Sequence, residues 1–259
     1  SITKEGTIYS IVNKEIDKEL LKEPIAYEFQ KERPYLYPAW NMDWRDRKKQ
    51  PILRLEKGEV SIVVNDANMA TIRITTRHNE SVFLKDISIT HDSNLVSFKE
   101  SIQWFEKGVS LKLAFSPNMT NPTTTYNWES DRVERGVNHE KMFEVPSRLW
   151  MNISESDFGF SILENSKYGY DRPTVDKVRL TLLYTPAIWY INGFWDQRYH
   201  DVGEHTIQYA IHPSNGTYRQ TDTLARQFNL PARTYLVDSS VHEENQKVTS
   251  FITIASNQV

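Results

Sequence analysis

The sequence contains no cysteine. This absence excludes disulfide bonds, cysteine nucleophiles and cysteine-ligated metal sites. It also fits a cytoplasmic protein, which is the location that we expect. Hydrophobic runs are short, and none approaches the ~20 residues that a membrane-spanning helix needs. We therefore expect no membrane partner.

A strong excess of one sign of charge is also lacking, because the formal net charge is only -3. The densest basic stretch, residues 45–49, carries Asp46 within it, and we interpret it as the solvated start of a strand. Nothing in the sequence builds a basic surface for nucleic acid, so we expect no nucleic-acid partner. Only nine Gly and eleven Pro are present, which argues against flexible linkers.

Aromatic residues are abundant at 12%, and several segments alternate apolar with polar side chains. This pattern is typical of antiparallel strands that bury one face. The clearest segments are 70–75, 109–115, 178–184 and 206–211. Strands at such spacing, separated by turn residues, predict an all-β protein built as a large antiparallel β-sandwich.

Helix is scarce, and two short segments are candidates. Residues 14–22 place Ile16, Leu20 and Leu21 on one face, and residues 221–228 group Leu224 with Phe228. The strand pattern is interrupted at residues 121–138, where we place a possible internal boundary.

The most metal-like cluster is His200 to His205, with two histidines and two acids within six residues. Neighbouring residues of a strand point to opposite faces, so a structural role at the start of a strand is favoured. We interpret His91 and Asp92 as turn residues. A glycosidase needs two carboxylates, and those near aromatic residues are Asp43, Asp46, Glu155 and Asp157.

The stretch from Asn138 to Asp171 reads NHEKMFEVPSRLWMNISESDFGFSILENSKYGYD. It contains a Glu-Val-Pro strand, an aromatic strand with Trp150, a Ser-Glu turn, and an apolar strand that ends in Asn-Ser-Lys-Tyr-Gly. This series resembles the signature region of glycoside hydrolase family 38 α-mannosidases of the cytosolic and microbial branch.

Further segments resemble the same family in the same order along the chain. They are 6–21 at the opening, 102–115 with Tyr126, VRLTLLYTP at 178–186 and GEHTIQYAIHP at 203–213. The sequence departs from the family at Tyr184, where the family often has Arg. It departs again at 187–202, which is longer and more aromatic than the family's loop.

The resemblance implies that residues 1–259 are the middle and C-terminal β-sandwich region of the family, truncated at both ends. The implied fold is a supersandwich of galactose-mutarotase-like type with one or two short helices. The implied function is that of the non-catalytic part of a retaining α-mannosidase that hydrolyses terminal α-mannosides. The zinc and both catalytic acids would then lie in the missing catalytic domain, and no catalytic or metal-ligating residue is assigned to this chain.

The expected partners follow from the same resemblance: the protein's own catalytic domain and an α-mannoside or oligosaccharide substrate of the parent enzyme. A homo-oligomer is an open alternative. We expect the chain alone to be inactive. Two other readings stay open. One is a free-standing carbohydrate-binding module that uses exposed Trp side chains, and the other is a mutarotase-like sugar epimerase with a His and Glu pair.

The segment 184–199, YTPAIWYINGFWDQRY, holds six aromatic residues in sixteen. It could fold back as a lid on the core, stack on sugar rings, or dock on the catalytic domain or another subunit. Our hypothesis is docking. The substrate-side or interface residues that it names are Tyr184, Trp189 and Trp195.

Overall fold

The computed structural model describes residues 1–38, 40–129, 131–156, 158–187, 200–216 and 218–230. Residues Ser1–Asn229 form one compact unit. Across these described ranges, no helix is both long and apolar enough to cross a membrane.

Seventeen strands and two helices are present in the described residues, which confirms the predicted all-β antiparallel class. The strands are β1 (Val12–Asn13), β2 (Lys18–Glu19), β3 (Leu21–Lys31), β4 (Leu53–Leu55), β5 (Glu59–Asn65), β6 (Met69–His78), β7 (Ser81–Thr90), β8 (Val96–Trp104), β9 (Val109–Pro117), β10 (Thr123–Trp128), β11 (Asp131–Glu134), β12 (Val145–Pro146), β13 (Trp150–Glu155), β14 (Phe158–Glu164), β15 (Gly169–Thr174), β16 (Lys177–Thr185) and β17 (Gly203–Ser214). The helices are α1 (Trp44–Arg47) and α2 (Arg219–Asn229).

Two large antiparallel sheets make the sandwich. The nine-stranded sheet has the order β11-β10-β13-β14-β17-β8-β7-β6-β5, and the six-stranded sheet has the order β12-β15-β16-β9-β3-β4. Strands β10 and β11 belong to the nine-stranded sheet although they lie in the interrupted segment 121–138. The internal boundary proposed there stays a prediction.

The core lies between the two sheets, where their apolar faces meet. Aromatic rings span this layer, with centroids 4.9 Å apart for Tyr27 and Phe83 and 6.4 Å apart for Phe115 and Phe160. The predicted alternation of β9 places Leu111 on this side, fully buried. Such burial of apolar side chains is the main source of folding free energy.

The carboxylate of Glu100 is enclosed within this core. Glu100 is fully buried and accepts hydrogen bonds from the hydroxyl groups of Tyr27 and Tyr209. The ammonium of Lys85 lies 3.6 Å from the Glu100 carboxylate and 4.1 Å from the centre of the Tyr27 ring. These partners compensate the cost of burying a charge.

The helix predicted at 221–228 is confirmed by α2, but the helix predicted at 14–22 is wrong. That segment is a β1–β2 hairpin followed by β3. The side chain of Asn13 accepts the backbone N–H of Glu15, and Asp17 adopts a φ of 51°. This local turn chemistry outweighs a weak apolar face in so short a segment.

The second face of the six-stranded sheet is also buried, which the alternating pattern did not predict. On this face Glu28, Lys112 and Arg179 are at most 2% exposed. Helix α1 packs against β3 on the sheet. The interpretation of residues 45–49 as a solvated strand start is therefore wrong, because Arg47 of α1 is fully buried.

Candidate functional site

Tyr184 lies near the end of β16 and ties this strand to the loop that precedes α1. Its hydroxyl donates to the carbonyl oxygen of Asn41 at 2.7 Å, and its backbone N–H donates to the Asp201 carboxylate at 2.8 Å. Burial raises the pKa of the Tyr184 hydroxyl. Trp189 and Trp195, named with Tyr184 from the sequence, lie outside the described residues.

The loop formed by residues 33–38 and 40–43, called the aromatic loop below, presents large side chains to solvent. Tyr35 is 45%, Tyr37 is 60% and Trp40 is 82% exposed. The rings of Tyr37 and Trp40 stack with centroids 5.6 Å apart and an interplanar angle of 14°. Such a concentration of exposed aromatic side chains marks an interaction surface.

The backbone of the aromatic loop is fixed by hydrogen bonds. Tyr37 has a φ of 56°, a conformation that bulky residues rarely adopt. Its carbonyl oxygen accepts the N–H groups of Trp40 and Asn41 at 2.9 Å each, and the Asp43 carboxylate accepts the N–H of Tyr35 at 2.9 Å. Strained conformations of this kind cluster at binding and functional sites.

The described carboxylates that stand near aromatic residues in the sequence accept hydrogen bonds from backbone N–H groups. They are not arranged as the acid pair of a glycosidase. Asp46 accepts the N–H of Arg33 at 2.9 Å, as Asp43 does for Tyr35. Glu155 accepts the two N–H groups of residues 120–121 at 2.9 and 2.8 Å. Asp157 lies outside the described residues.

The histidine-rich segment 200–205 makes local hydrogen bonds. The Nε2 atom of His205 lies 2.7 Å from the backbone oxygen of Asp201, whose carboxylate is engaged by Tyr184. Within the part of the chain that the structure describes, no group of three His, Cys, Asp or Glu residues is placed to hold a metal ion. The described residues therefore do not fit zinc. His91 and Asp92 occupy an exposed turn, as predicted.

A layer of ionised side chains lies on the face of the six-stranded sheet that points away from the core. Its members come from β3, from the residue directly after β3, from α1, β9, β15 and β16, and from the segment before β12. We call it the charged layer, and it consists of Glu28, Glu32, Arg47, Lys112, Glu144, Asp171 and Arg179.

Every carboxylate of the charged layer is paired with a cation. Arg47 lies 2.8 Å from Glu32, and Lys112 lies 2.6 Å from Glu144. The remaining two acids share one guanidinium, because Arg179 lies 2.6 Å from Asp171 and 3.1 Å from Glu28. Buried charges are tolerated when they are paired and hydrogen-bonded in this way.

Burial and the neighbouring charges shift the pKa values of several of these groups. Burial alone raises the pKa of the Asp171 carboxyl, but the charges of Arg179 and Lys112 outweigh it and hold that pKa well below its usual range. Burial lowers the pKa of Lys112 and raises the pKa of Glu32. The four acids are thus committed to structural ion pairs, which leaves no free acid and base pair in the layer.

A cleft opens beside the charged layer, between α1 with its following residues and the β15–β16 hairpin. Its volume is about 490 Å³. Trp44 and Arg47 line it from α1, Glu28 and Arg179 from the sheet, and Asn138 from the segment before β12. We call it the α1 cleft. The site therefore consists of the aromatic loop, the charged layer and this cleft.

The sequence reasoning missed the charged layer, although several of its members lie inside the segments that carry the family resemblance. Glu144 and Asp171 stand in the stretch 138–171, and Arg179 stands in VRLTLLYTP. Gly169 of the same stretch lies beside this layer, and a Cβ there would lie 2.6 Å from the Glu144 carboxylate, which would have to shift. Charged residues on the polar side of a strand ordinarily face solvent, so the positions of these residues in the strand patterns carry no signal of burial.

Residues 1–188 match the family model described as the glycosyl hydrolases family 38 C-terminal domain. The chain is 25% identical over 210 residues to the Mus musculus protein "Alpha-mannosidase 2C1", covering 76% of this chain and 19% of that protein. It is 23% identical over 257 residues to "Alpha-mannosidase G" of Dictyostelium discoideum, covering 92% and 22%. The chain thus spans about a fifth of the length of these relatives.

The fold also resembles a solved structure, that of an α-mannosidase from Enterococcus faecalis V583, with a TM-score of 0.70 at 14% identity. The matched region covers 89% of this chain and 30% of that one. At this identity the likeness shows the fold alone.

Proposed function

Since this chain belongs to glycoside hydrolase family 38, as its C-terminal domain, we propose that it is the non-catalytic β-sandwich part of a retaining α-mannosidase that hydrolyses terminal α-mannosides. In this role it supports a separate catalytic domain. Zinc and the two catalytic acids are expected in that domain, and the substrate is expected to be an α-mannoside or oligosaccharide.

The observation that carries the supporting role is the exposed aromatic loop. Trp40 is 82% exposed although a Trp side chain is highly buried in most proteins. Its stacking on Tyr37 and the fixed backbone beneath keep the two rings in one orientation. Rigid aromatic side chains that already hold their bound conformation lose little entropy on association, and Trp and Tyr are frequent anchors of interfaces.

The charged layer supports a non-catalytic role. Its carboxylates are ion-paired, and its packing holds α1 and the aromatic loop against the sheet. Tyr184, which begins the aromatic segment 184–199, reaches the same loop through Asn41. The hypothesis that Trp189 and Trp195 are further anchors extends this surface and stays a prediction. The free-standing binding module and the sugar epimerase are not favoured, because the family match supports neither.

The experiment compares the double change Tyr37→Ala and Trp40→Ala in the complete enzyme and in this chain alone. Docking predicts that the variant chain keeps its melting temperature, because both side chains are exposed. The complete enzyme should lose activity on an aryl α-mannoside, or lose the cooperativity of its thermal unfolding.

The matched control is Trp128→Ala, which removes a 43% exposed Trp from β10. It should leave both proteins unchanged. A complete enzyme that tolerates the Tyr37 and Trp40 changes as well as the Trp128 change would argue against docking through the aromatic loop.

A further inference from the structure

Strand β5 is the outer strand at one end of the nine-stranded sheet. In the described part of the chain it pairs with β6 on one side, and its other edge is open. Every residue of β5 except Val64 is exposed. Of its seven residues only Glu59 is charged, and its sequence EVSIVVN contains neither Pro nor Gly. A long apolar edge of this kind is a template on which another strand can pair.

The other outer strands of the two large sheets, as far as the structure describes them, are protected from such pairing. At the opposite end of the nine-stranded sheet, β11 has four residues, and three of them are charged: Asp131, Arg132 and Glu134. In the six-stranded sheet, β12 has two residues and ends in Pro146, and β4 has three residues with the ion-paired Arg54 at its centre. Short strands, charges and proline are the features that prevent edge-to-edge association. Strand β5 is therefore the described edge that is suited to receive a partner strand.

The core-facing side of the nine-stranded sheet continues to this edge and becomes exposed there. One row of directly paired residues crosses the sheet through Tyr209, Phe98, Ile87, Ile72 and Ile62. The first three are at most 8% exposed, Ile72 is half-buried, and Ile62 is 71% exposed. The row thus extends beyond the region that the six-stranded sheet covers. Covering its aliphatic end would favour association, because apolar surface would leave water.

A second copy of β5 complements this edge in shape and charge. Two β5 strands that pair antiparallel about a two-fold axis place Ile62 opposite Ile62 of the second copy, with Cβ atoms about 4.5–5.5 Å apart. Glu59 then lies opposite Asn65 of the second copy, so the single charge of the strand meets an amide and not a like charge. The register of β5 shifts between Ile62 and Val64, which increases the local twist of the edge but leaves Ile62 exposed.

We propose that β5 is a dimerisation surface, at which two copies of the protein pair their β5 strands antiparallel and form one continuous sheet. The apolar rows of the two copies then meet on the same side of that sheet. A contact that uses the same surface on both subunits closes after two copies. Strand β5 is not part of the aromatic loop, so dimerisation does not depend on docking of the catalytic domain.

Sedimentation velocity of this chain and of the complete enzyme, between about 1 and 100 µM, tests the proposal. Both should be dimers with a Kd of about 10 µM or tighter. Ile62→Lys and Ile62→Glu should each weaken dimerisation by about tenfold or more, because like charges would face each other across the axis. An equimolar mixture of these two variants should recover the dimer, since opposite charges then meet. The matched control is Val133→Lys on β11, at a position that is 38% exposed, and it should dimerise like the unchanged chain.

The absence of cysteine provides a second test. Ile62→Cys introduces the single thiol of this chain, so any disulfide must join two copies. Pairing about Ile62 brings the two Cβ atoms close to the separation that a disulfide requires. Mild oxidation should therefore convert most of the Ile62→Cys variant into a covalent dimer, whereas Val133→Cys on β11 should stay largely unlinked.

The proposal is overturned if the unchanged chain or the complete enzyme is monomeric at about 100 µM, since β5 is then either unoccupied or covered by another part of the same molecule. It is also overturned if larger open assemblies form, if the mixture of the two charged variants stays monomeric, or if Ile62→Cys and Val133→Cys cross-link alike.

Discussion

The guanidinium of Arg47 lies 2.8 Å from the carboxylate of Glu32, and neither side chain is exposed to solvent. Arg47 belongs to α1, and Glu32 follows directly after β3. This pair therefore fixes the helix to the outer face of the six-stranded sheet. The aromatic loop, which joins the two elements, inherits its position from this contact.

Arg47→Met should destabilise the chain strongly, because it leaves the buried Glu32 without its principal cation. The expected loss in the free energy of unfolding is about 3–5 kcal/mol, which urea denaturation measures directly. The matched control is Arg73→Met. Arg73 lies 2.6 Å from Asp86, but it is 39% exposed, and a surface pair contributes about 1 kcal/mol or less. Equal losses for the two variants would contradict the importance assigned to the Arg47 pair.

Glu164→Gln should change how stability depends on pH. Glu164 is fully buried and accepts the Tyr170 hydroxyl at 3.0 Å. Burial raises the pKa of the Glu164 carboxyl well above its ordinary value. The folded chain therefore keeps a proton that the unfolded chain releases, so stability falls as pH rises above the unfolded pKa.

The glutamine cannot release this proton, so the Glu164→Gln variant should gain stability relative to the unchanged chain between about pH 5 and about pH 8. Urea denaturation at both pH values measures this gain, and Glu59→Gln at an exposed position of β5 serves as the control. A stability difference that stays constant, or that reverses with pH, would show that Glu164 does not hold its proton in the folded state.

Gly159→Ala should destabilise the β13–β14 hairpin. A Cβ at Gly159 would lie 2.6 Å from the carbonyl oxygen of Ile153 and 2.6 Å from the Cβ of Ser154. Crowding of this kind costs about 1–3 kcal/mol, which thermal unfolding followed by circular dichroism will detect. Gly136→Ala is the control, because a Cβ there meets nothing within 4 Å. If both alanine variants melt alike, the close approach at Gly159 does not constrain the hairpin.

The core was predictable from the sequence because alternation is a local property. Leu111 and Leu180 fall on the apolar side of their segments, and both are fully buried in the core. The stretch 138–171 was also informative, since its Gly159 and Gly169 stand where a Cβ would crowd Ser154 or Glu144. Such alternation predicts burial because a shift of one residue in strand pairing would turn the apolar side chains to solvent.

The charged layer was not predictable in the same way. Arg179 pairs with Glu28 across 151 positions of the chain, and no local pattern announces such a contact. A Lys or Arg on the polar side of a strand ordinarily faces solvent, so Lys112 and Arg179 gave no signal of burial. The cover over them depends on α1, a four-residue helix that is too short to show a periodic pattern.

We propose that this chain supports the catalytic domain of an α-mannosidase without carrying the chemistry itself. The most direct measurement is turnover of an aryl α-mannoside by this chain alone, by the remainder of the enzyme alone, and by the two co-expressed, with zinc determined in each. We predict no turnover and no stoichiometric zinc for this chain, weak or absent activity for the remainder, and restored activity for the pair. Turnover by this chain with about one zinc bound, or a remainder that is fully active and stable by itself, would contradict the account.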